Sequence, residues 1–167
     1  MATPWTITAI TGAKSALLAN ATLAAYVDTV EIWDRDRPED LPALTRHAIV
    51  IVPESLSVEV LTPDRNREFM RCRLRLVIAV WDPTNRQVAV TGETVVGVGT
   101  SQVGILKFVE DVQNALRKET LSGLLEETAM EADGVAAFVI NPRPERDRIF
   151  LECSLTWTAE HVAPHVR

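Results

Sequence analysis

The sequence predicts an α+β fold in which a mainly antiparallel β-sheet with a long hairpin arm packs against an N-terminal helix and a central amphipathic helix. The central helix is indicated by apolar residues at helical spacing, which are Ile105, Val109, Val112 and Leu116. The sheet is indicated by a continuous, β-branched run in residues 48–52 and by apolar residues at every second position in residues 68–81. Residues 149–158 add a third strand, because apolar and polar side chains alternate along them.

Length and composition predict one domain spanning residues 1–167. A chain of 167 residues with 47% hydrophobic and 24% charged residues is ordinary for a globular protein with a sizeable core. We find no internal repeat and no linker that would divide the chain. The tail from about residue 159 is polar and contains Pro164, so we expect it to be loosely attached.

Charge and cysteine content narrow the class of protein. A formal net charge of -6 argues against a broad basic surface that holds nucleic acid. Cys72 and Cys153 are too few for a disulfide scaffold and are interpreted as reduced, buried thiols, because a disulfide between them would need adjacent strands in register. No signal pattern and no apolar run of about 20 residues is present, which predicts a soluble protein made in the cytoplasm without a membrane partner.

The first third of the chain predicts a helix followed by two strands. Thr3 and Pro4 are suited to open a helix of about 15 residues, and Asn20 is a break or a second cap. Alternation in residues 27–33 predicts a short strand, and the charged, proline-containing residues 34–46 predict a solvated loop. The continuous apolar run in residues 48–52 indicates a central strand that is buried on both faces.

A hairpin arm and the central helix are predicted next. Residues 53–67 are polar and join two strong strands, as an arm would, and residues 68–81 form the longest predicted strand. Residues 87–99 fit either a short strand or an ordered loop. The central helix is expected to span residues 101–118, with Ser101 as its N-cap.

The last part of the chain predicts a connection and a closing hairpin. Residues 120–134 fit a short helix or an irregular segment that carries an acidic patch. Residues 135–140 and 149–158 are predicted strands, and the polar residues 141–148 form the turn between them.

The sequence contains no pattern that predicts a catalytic, metal or cofactor site. Gly12 to Ser15 lack the upstream glycine and the preceding strand of a phosphate-binding loop. His161 and His165 have a metal-ligand spacing, but Pro164 argues against a helix there. The glycines at positions 97 and 99 favour a cramped loop over an anion site. A hydrolytic triad assembles in space, so that alternative stays open without positive support.

Three arginines form the one arrangement that suggests an interaction. Arg71, Arg73 and Arg75 alternate along the longest strand, which places them on one side of it. They can be solvated or can pair with Glu152 across the sheet, contact another subunit, or bind nucleic acid. The surrounding negative charge argues against nucleic acid.

The order of these elements resembles the bacteriophage tail terminator proteins, also called tail completion proteins. The similarity is greatest in the strand FMRCRLRLVIAVWD, the helix VGILKFVEDVQNALRK followed by LSGLL, and the closing hairpin AFVINPRPERDRIFLECSLTWTAEHV. It covers nearly the whole chain in layout, but rests on a pattern without invariant motif residues. Residues 87–99 are longer than a compact member of this family needs.

The resemblance implies a mixed α/β subunit that forms a hexameric ring at the head-proximal end of the phage tail tube. The ring would stop polymerisation of the tube and offer a surface to the neck or head-connector protein, while DNA passes through its lumen. It implies a virion protein, with no catalysis and no cofactor. The predicted subunit boundary contains Arg71, Arg73, Arg75 and Glu152. The predicted contacts with the tube or connector are Asp36, Arg37, Glu39, Asp40, Asp64, Arg65, Arg67, Arg143, Glu145 and Arg146.

Other functions stay open at this point. A neck or head-tail connector subunit of the same particle has a related layout, and a tail-like secretion or bacteriocin particle would use the same role in a cell. A small α/β enzyme or ligand-binding domain is the alternative from a different class. Its sign would be a pocket with convergent polar groups and a perturbed pKa.

Overall fold

The computed structural model describes residues 5–33, 46–62, 67–82, 86–94, 101–117, 131–132, 137–143 and 148–164. The helices in these residues are α1 (Trp5–Ala19), α2 (Ala21–Ala24), α3 (Arg86–Thr91) and α4 (Ile105–Leu116). The strands are β1 (Thr29–Ile32), β2 (His47–Thr62), β3 (Arg67–Asp82), β4 (Glu93–Thr94), β5 (Ser101–Gln102), β6 (Glu131–Ala132), β7 (Ala137–Arg143) and β8 (Arg148–Pro164).

The helices pack on a mixed six-stranded sheet in the order β1-β2-β3-β8-β6, with β7 also paired to β8. β1 is parallel to β2, with Val30 opposite Ile49, whereas β2 is antiparallel to β3, with Ile49 opposite Ile78. These helices and strands confirm the α+β class. The parallel pairing of β1 with β2 makes the sheet mixed and so corrects the prediction at this edge, whereas β2 with β3, β3 with β8, β6 with β8 and β7 with β8 are antiparallel.

The remaining strands extend the pairing away from this part of the sheet. β3 pairs antiparallel with β8, which in turn pairs antiparallel with β6 and with β7. β4 and β5 form a separate antiparallel pair. The β7 and β8 pair agrees with the predicted closing hairpin, and β8 continues to Pro164 where the prediction ended the strand at Thr158.

One face of β2 and β3 and the inner faces of α1, α2 and α4 form the main hydrophobic core. Its largest fully buried side chains are Leu17, Leu23, Ile49, Ile51, Leu74, Leu76, Ile78, Phe108 and Leu116. On the opposite face of the sheet, Val50, Val52 and Val77 form a second buried cluster. The strand at residues 48–52 is therefore buried on both faces and lies between β1 and β3, as its continuous apolar run predicted.

The N-terminal helices follow the capping signals in the sequence. α1 has 15 residues, which agrees with the predicted length, while Thr3 and Pro4 lie outside the described residues. Asn20 is a cap, because its side-chain Oδ1 accepts hydrogen bonds from the backbone N–H groups of Thr22 at 3.0 Å and Leu23 at 3.1 Å. The break at Asn20 thus starts α2.

The central helix is shorter at its N-terminus than the sequence predicted. α4 begins at Ile105 with Gly104 as N-cap, whereas Ser101 lies in β5. Gly104 approaches the end of α3 so closely that a Cβ atom would overlap the backbone of Val90 and Gly92. This contact between helices fixes where α4 starts, and glycine is the residue that permits it. The predicted apolar stripe of α4 is confirmed, because its four members are buried.

Residues 86–91 form the short helix α3, so the prediction of a strand or a loop was wrong there. Val88 and Ala89 of α3 are buried. Tertiary packing therefore overrides the weak local preference of a six-residue segment. Of the predicted loop at 34–46, residues 34–45 lie outside the described residues, as do residues 120–130 and 133–134 of the predicted acidic segment at 120–134, whereas residues 131–132 form β6.

Candidate functional site

The predicted arginines alternate along β3, and Arg75 lies between the core residues Leu74 and Leu76. Arg71 pairs with Ser57, Arg73 with Ser55 and Arg75 with Val52. Among the residues of β3 whose burial is described, those that face the helices are Leu74, Leu76, Ile78 and Val80. Arg73 is exposed and Arg75 is partly exposed. The row formed by the three arginines lies on the same face of the sheet as the second apolar cluster and continues that face beyond the cluster.

An irregularity in β2 brings an acidic side chain to Arg75. The pairing of β2 with β3 shifts between Pro53 and Ser55, which leaves Glu54 without a direct partner in the ladder. The Nε atom of Arg75 lies 3.4 Å from Oε1 of Glu54. That nitrogen is itself buried and makes no hydrogen bond, so the contact is an ion pair without hydrogen-bond geometry. The side chains are 39% and 35% exposed, and such pairs contribute about 0–1 kcal/mol to stability.

The strand register places different acidic residues beside the arginines than the sequence suggested. Glu152 is opposite Ala79, four positions along β8 from Thr156, which is opposite Arg75. At about 3.3 Å per residue these positions are about 13 Å apart, so Glu152 is not a direct cross-strand partner of the row. Glu160 instead occupies the position opposite Arg71.

Arg73 also has an acidic residue in its cross-sheet row. Its partner on β8 is Thr158, and Thr158 pairs on its other side with Glu131 of β6. Each arginine therefore has a glutamate in its row or at the neighbouring irregularity of β2.

The remaining predicted contact residues are mostly not described. Asp36, Arg37, Glu39, Asp40, Asp64, Arg65, Glu145 and Arg146 lie outside the described residues. Arg67 is the first residue of β3 and is paired with Thr62, and Arg143 is the last residue of β7 and is paired with Arg148. Both therefore lie at the end of a strand, next to residues that are not described.

The structure also contains a polar cluster that the sequence did not reveal, in which His47 and Asp111 are buried, Tyr26 is half-buried and Lys107 is exposed. The carboxylate of Asp111 accepts a hydrogen bond from the Tyr26 hydroxyl at 2.9 Å and one from the Lys107 ammonium at 2.6 Å. Asp111 is 6% exposed, although the helical pattern placed it on the polar face of α4. A signal for this arrangement is absent from the local sequence, because Tyr26 is 85 residues away from Asp111.

His47 and Phe108 enclose the ring of Tyr26. The Tyr26 ring is edge-on to His47 at 5.3 Å and to Phe108 at 5.4 Å between ring centroids. His47 Nε2 is 2.7 Å from the carbonyl oxygen of Val103, two residues before α4 begins. The backbone N–H of His47 donates to the carboxylate of Asp28, which fixes the start of β2. The cluster thus joins the segment before β1, the start of β2 and the start of α4.

The chemistry of this cluster is that of a structural anchor. Burial, and then the hydrogen bond and charge of Asp111, raise the pKa of Tyr26 far above its usual value near 10. The hydrogen bond to Asp111 likewise raises the pKa of Lys107. Both groups are held in their protonated forms, and both carboxylate oxygens of Asp111 are occupied. None of the three is poised as a general base or nucleophile at neutral pH.

Alkaline titration should report this anchor directly, because Tyr26 is the only tyrosine in the chain. We expect tyrosinate absorbance to appear well above pH 10 in the folded protein and near about pH 10 in urea. Above about pH 10 the folded state binds more protons than the unfolded state. The contribution of Tyr26 to the free energy of unfolding should therefore fall as the pH rises, by at most about 1.4 kcal/mol per pH unit. Its contribution is fully present below that pH, and Tyr26→Phe should remove this part of the slope. Coincident titration of folded and unfolded protein would contradict the anchor.

Metal and membrane chemistry receive no support from the described ranges. Among them, no three His, Cys, Asp or Glu side chains are grouped so as to hold a metal ion. Cys72 is opposite Ala159 and Cys153 is opposite Ile78, so the two cysteines are six positions out of register and too far apart for a disulfide. Within the same described residues, none of the helices has the length and hydropathy that a membrane span requires.

Comparison of the chain with protein-family models and with curated proteins found no match in either set.

Proposed function

We propose that the chain is a structural subunit of a ring, six copies in number, at the head-proximal end of a bacteriophage tail tube. In this role it ends polymerisation of the tube and provides the surface on which head and tail join. It contacts further copies of itself, the tail tube protein and a neck or head-connector protein. DNA only passes through the lumen, no membrane or cofactor takes part, and no covalent bond is made or broken.

The observation that carries this proposal is the length of the β2 and β3 ladder relative to the helices. Each strand has 16 residues, or about 50 Å, whereas α4 has 12 residues, or about 18 Å. Among the residues whose side chains are described, the helix-facing core residues lie between positions 49 and 51 of β2 and between 74 and 80 of β3. We propose that the distal part of the ladder, residues 53–62 and 67–73, with residues 158–164 of β8 paired to it, is the arm that reaches a neighbouring subunit.

The character of the polar groups also supports a structural role over an enzymatic one. In the described residues, the only cluster with perturbed pKa values is the one in which Tyr26 and Lys107 donate hydrogen bonds to Asp111. The pKa values of Tyr26 and Lys107 are raised, so both groups stay protonated. The net charge of -6 is compatible with a lumen along which DNA slides without binding. With the short elements α2, α3, β4, β5 and β6 left aside, the order α1, β1, β2, β3, α4, β7, β8 supports the layout on which the resemblance to tail terminators rests.

An early stop codon in the gene of a phage that carries it tests the proposal. Electron microscopy of the lysate should show filled heads beside free tails, many of them abnormal in length. A synonymous change at the same codon is the matched control, and the chain supplied from a plasmid should restore joined particles. Tails of normal length that fail to join heads would replace the proposal with a connector subunit. Unaffected particles would overturn both and favour a ligand-binding domain or enzyme.

Charge reversal at Arg73 tests the arm as a subunit contact. Arg73→Glu should fail to restore tails in the stop-codon phage, while the purified variant keeps a normal melting temperature. Arg73 is exposed and, on the proposed arm, would face acidic groups of a neighbouring copy. A carboxylate at this position would repel those groups. Arg117→Glu, at an exposed arginine after α4, is the control and should restore tails.

Two results would remove Arg73 from the interface. Full restoration of tails with a normal melting temperature would show that the residue makes no essential contact between copies. An unfolded Arg73→Glu variant would instead assign the residue to its own subunit, as expected if the row on β3 is held mainly by its intramolecular glutamates.

A further inference from the structure

We draw no further inference here: the strongest candidate, the outer face of α1 on which Ile7 is 50% and Leu18 is 54% exposed, is an unpartnered apolar helix face, and nothing in the described residues shows what covers it.

Discussion

Replacing Phe108 with alanine is expected to lower the free energy of unfolding by about 3–5 kcal/mol. The Phe108 side chain is fully buried on the inner face of α4. Its ring is edge-on to Tyr26 and to His47, at 5.4 Å and 5.6 Å between centroids. The substitution removes both the apolar surface and these ring contacts and leaves a cavity where α4 meets the start of β2. Urea unfolding followed by circular dichroism would measure the change.

Leu106 provides the matched control on the same helix. It is 48% exposed, so Leu106→Ala removes a similar apolar group without opening a cavity and should cost less than about 1 kcal/mol. Phe108→Leu should fall between the two, because it keeps apolar volume but loses the edge-on ring contacts, worth about 0.5–1.5 kcal/mol each. Equal losses for Leu106→Ala and Phe108→Ala would contradict the described orientation of α4.

The apolar pattern of the sequence was sufficient to predict the faces of the main elements. The four residues of the apolar stripe are all buried, because a helix with a single apolar stripe packs that stripe against the sheet. They are Ile105, Val109, Val112 and Leu116. The continuous run at residues 48–52 is likewise buried on both faces. Patterns of this strength determine burial locally, which is why they could be predicted without knowledge of the rest of the fold.

Features that depend on contacts between distant residues could not be predicted in the same way. The N-cap of α4 is Gly104 and not the predicted Ser101. Gly104 closely approaches the backbone of Val90 and Gly92 in another segment, and this contact was not evident from the local sequence. The parallel pairing of β1 with β2 depends on how the chain connects the two strands, and the alternation of side chains along a strand does not indicate this. Strand spacing predicted that the arginines share one side of β3, but only the register shows Glu160 opposite Arg71.

The candidate site illustrates both situations. The arginine row was visible in the sequence because alternation along one strand is local information. Its partners were not, since the irregularity at Glu54 and the pairing of β8 with β6 are set by other strands. Asp111 was misplaced for the same reason. A carboxylate on a helix is expected to face solvent unless a distant group bonds to it, and here that group is Tyr26.

Replacing Asp111 with alanine is expected to lower the free energy of unfolding by about 2–3 kcal/mol. The change leaves the Tyr26 hydroxyl, which is partly buried, without its acceptor and removes the 2.6 Å partner of Lys107. Glu110→Ala is the control, because Glu110 lies 3.8 Å from the same ammonium but its side chain is 64% exposed. That variant should change stability by less than about 0.5 kcal/mol.

A double-mutant cycle with Tyr26→Phe separates the hydrogen bond from the general effect of burying a carboxylate. Tyr26→Phe alone should cost about 1–2 kcal/mol, and the double variant should be more stable than the sum of the two losses predicts, by about 1 kcal/mol. This follows because each single substitution already breaks the same bond between Tyr26 and Asp111. Strictly additive losses, or an Asp111→Ala variant no less stable than Glu110→Ala, would show that the cluster does not anchor α4 to the segment before β1.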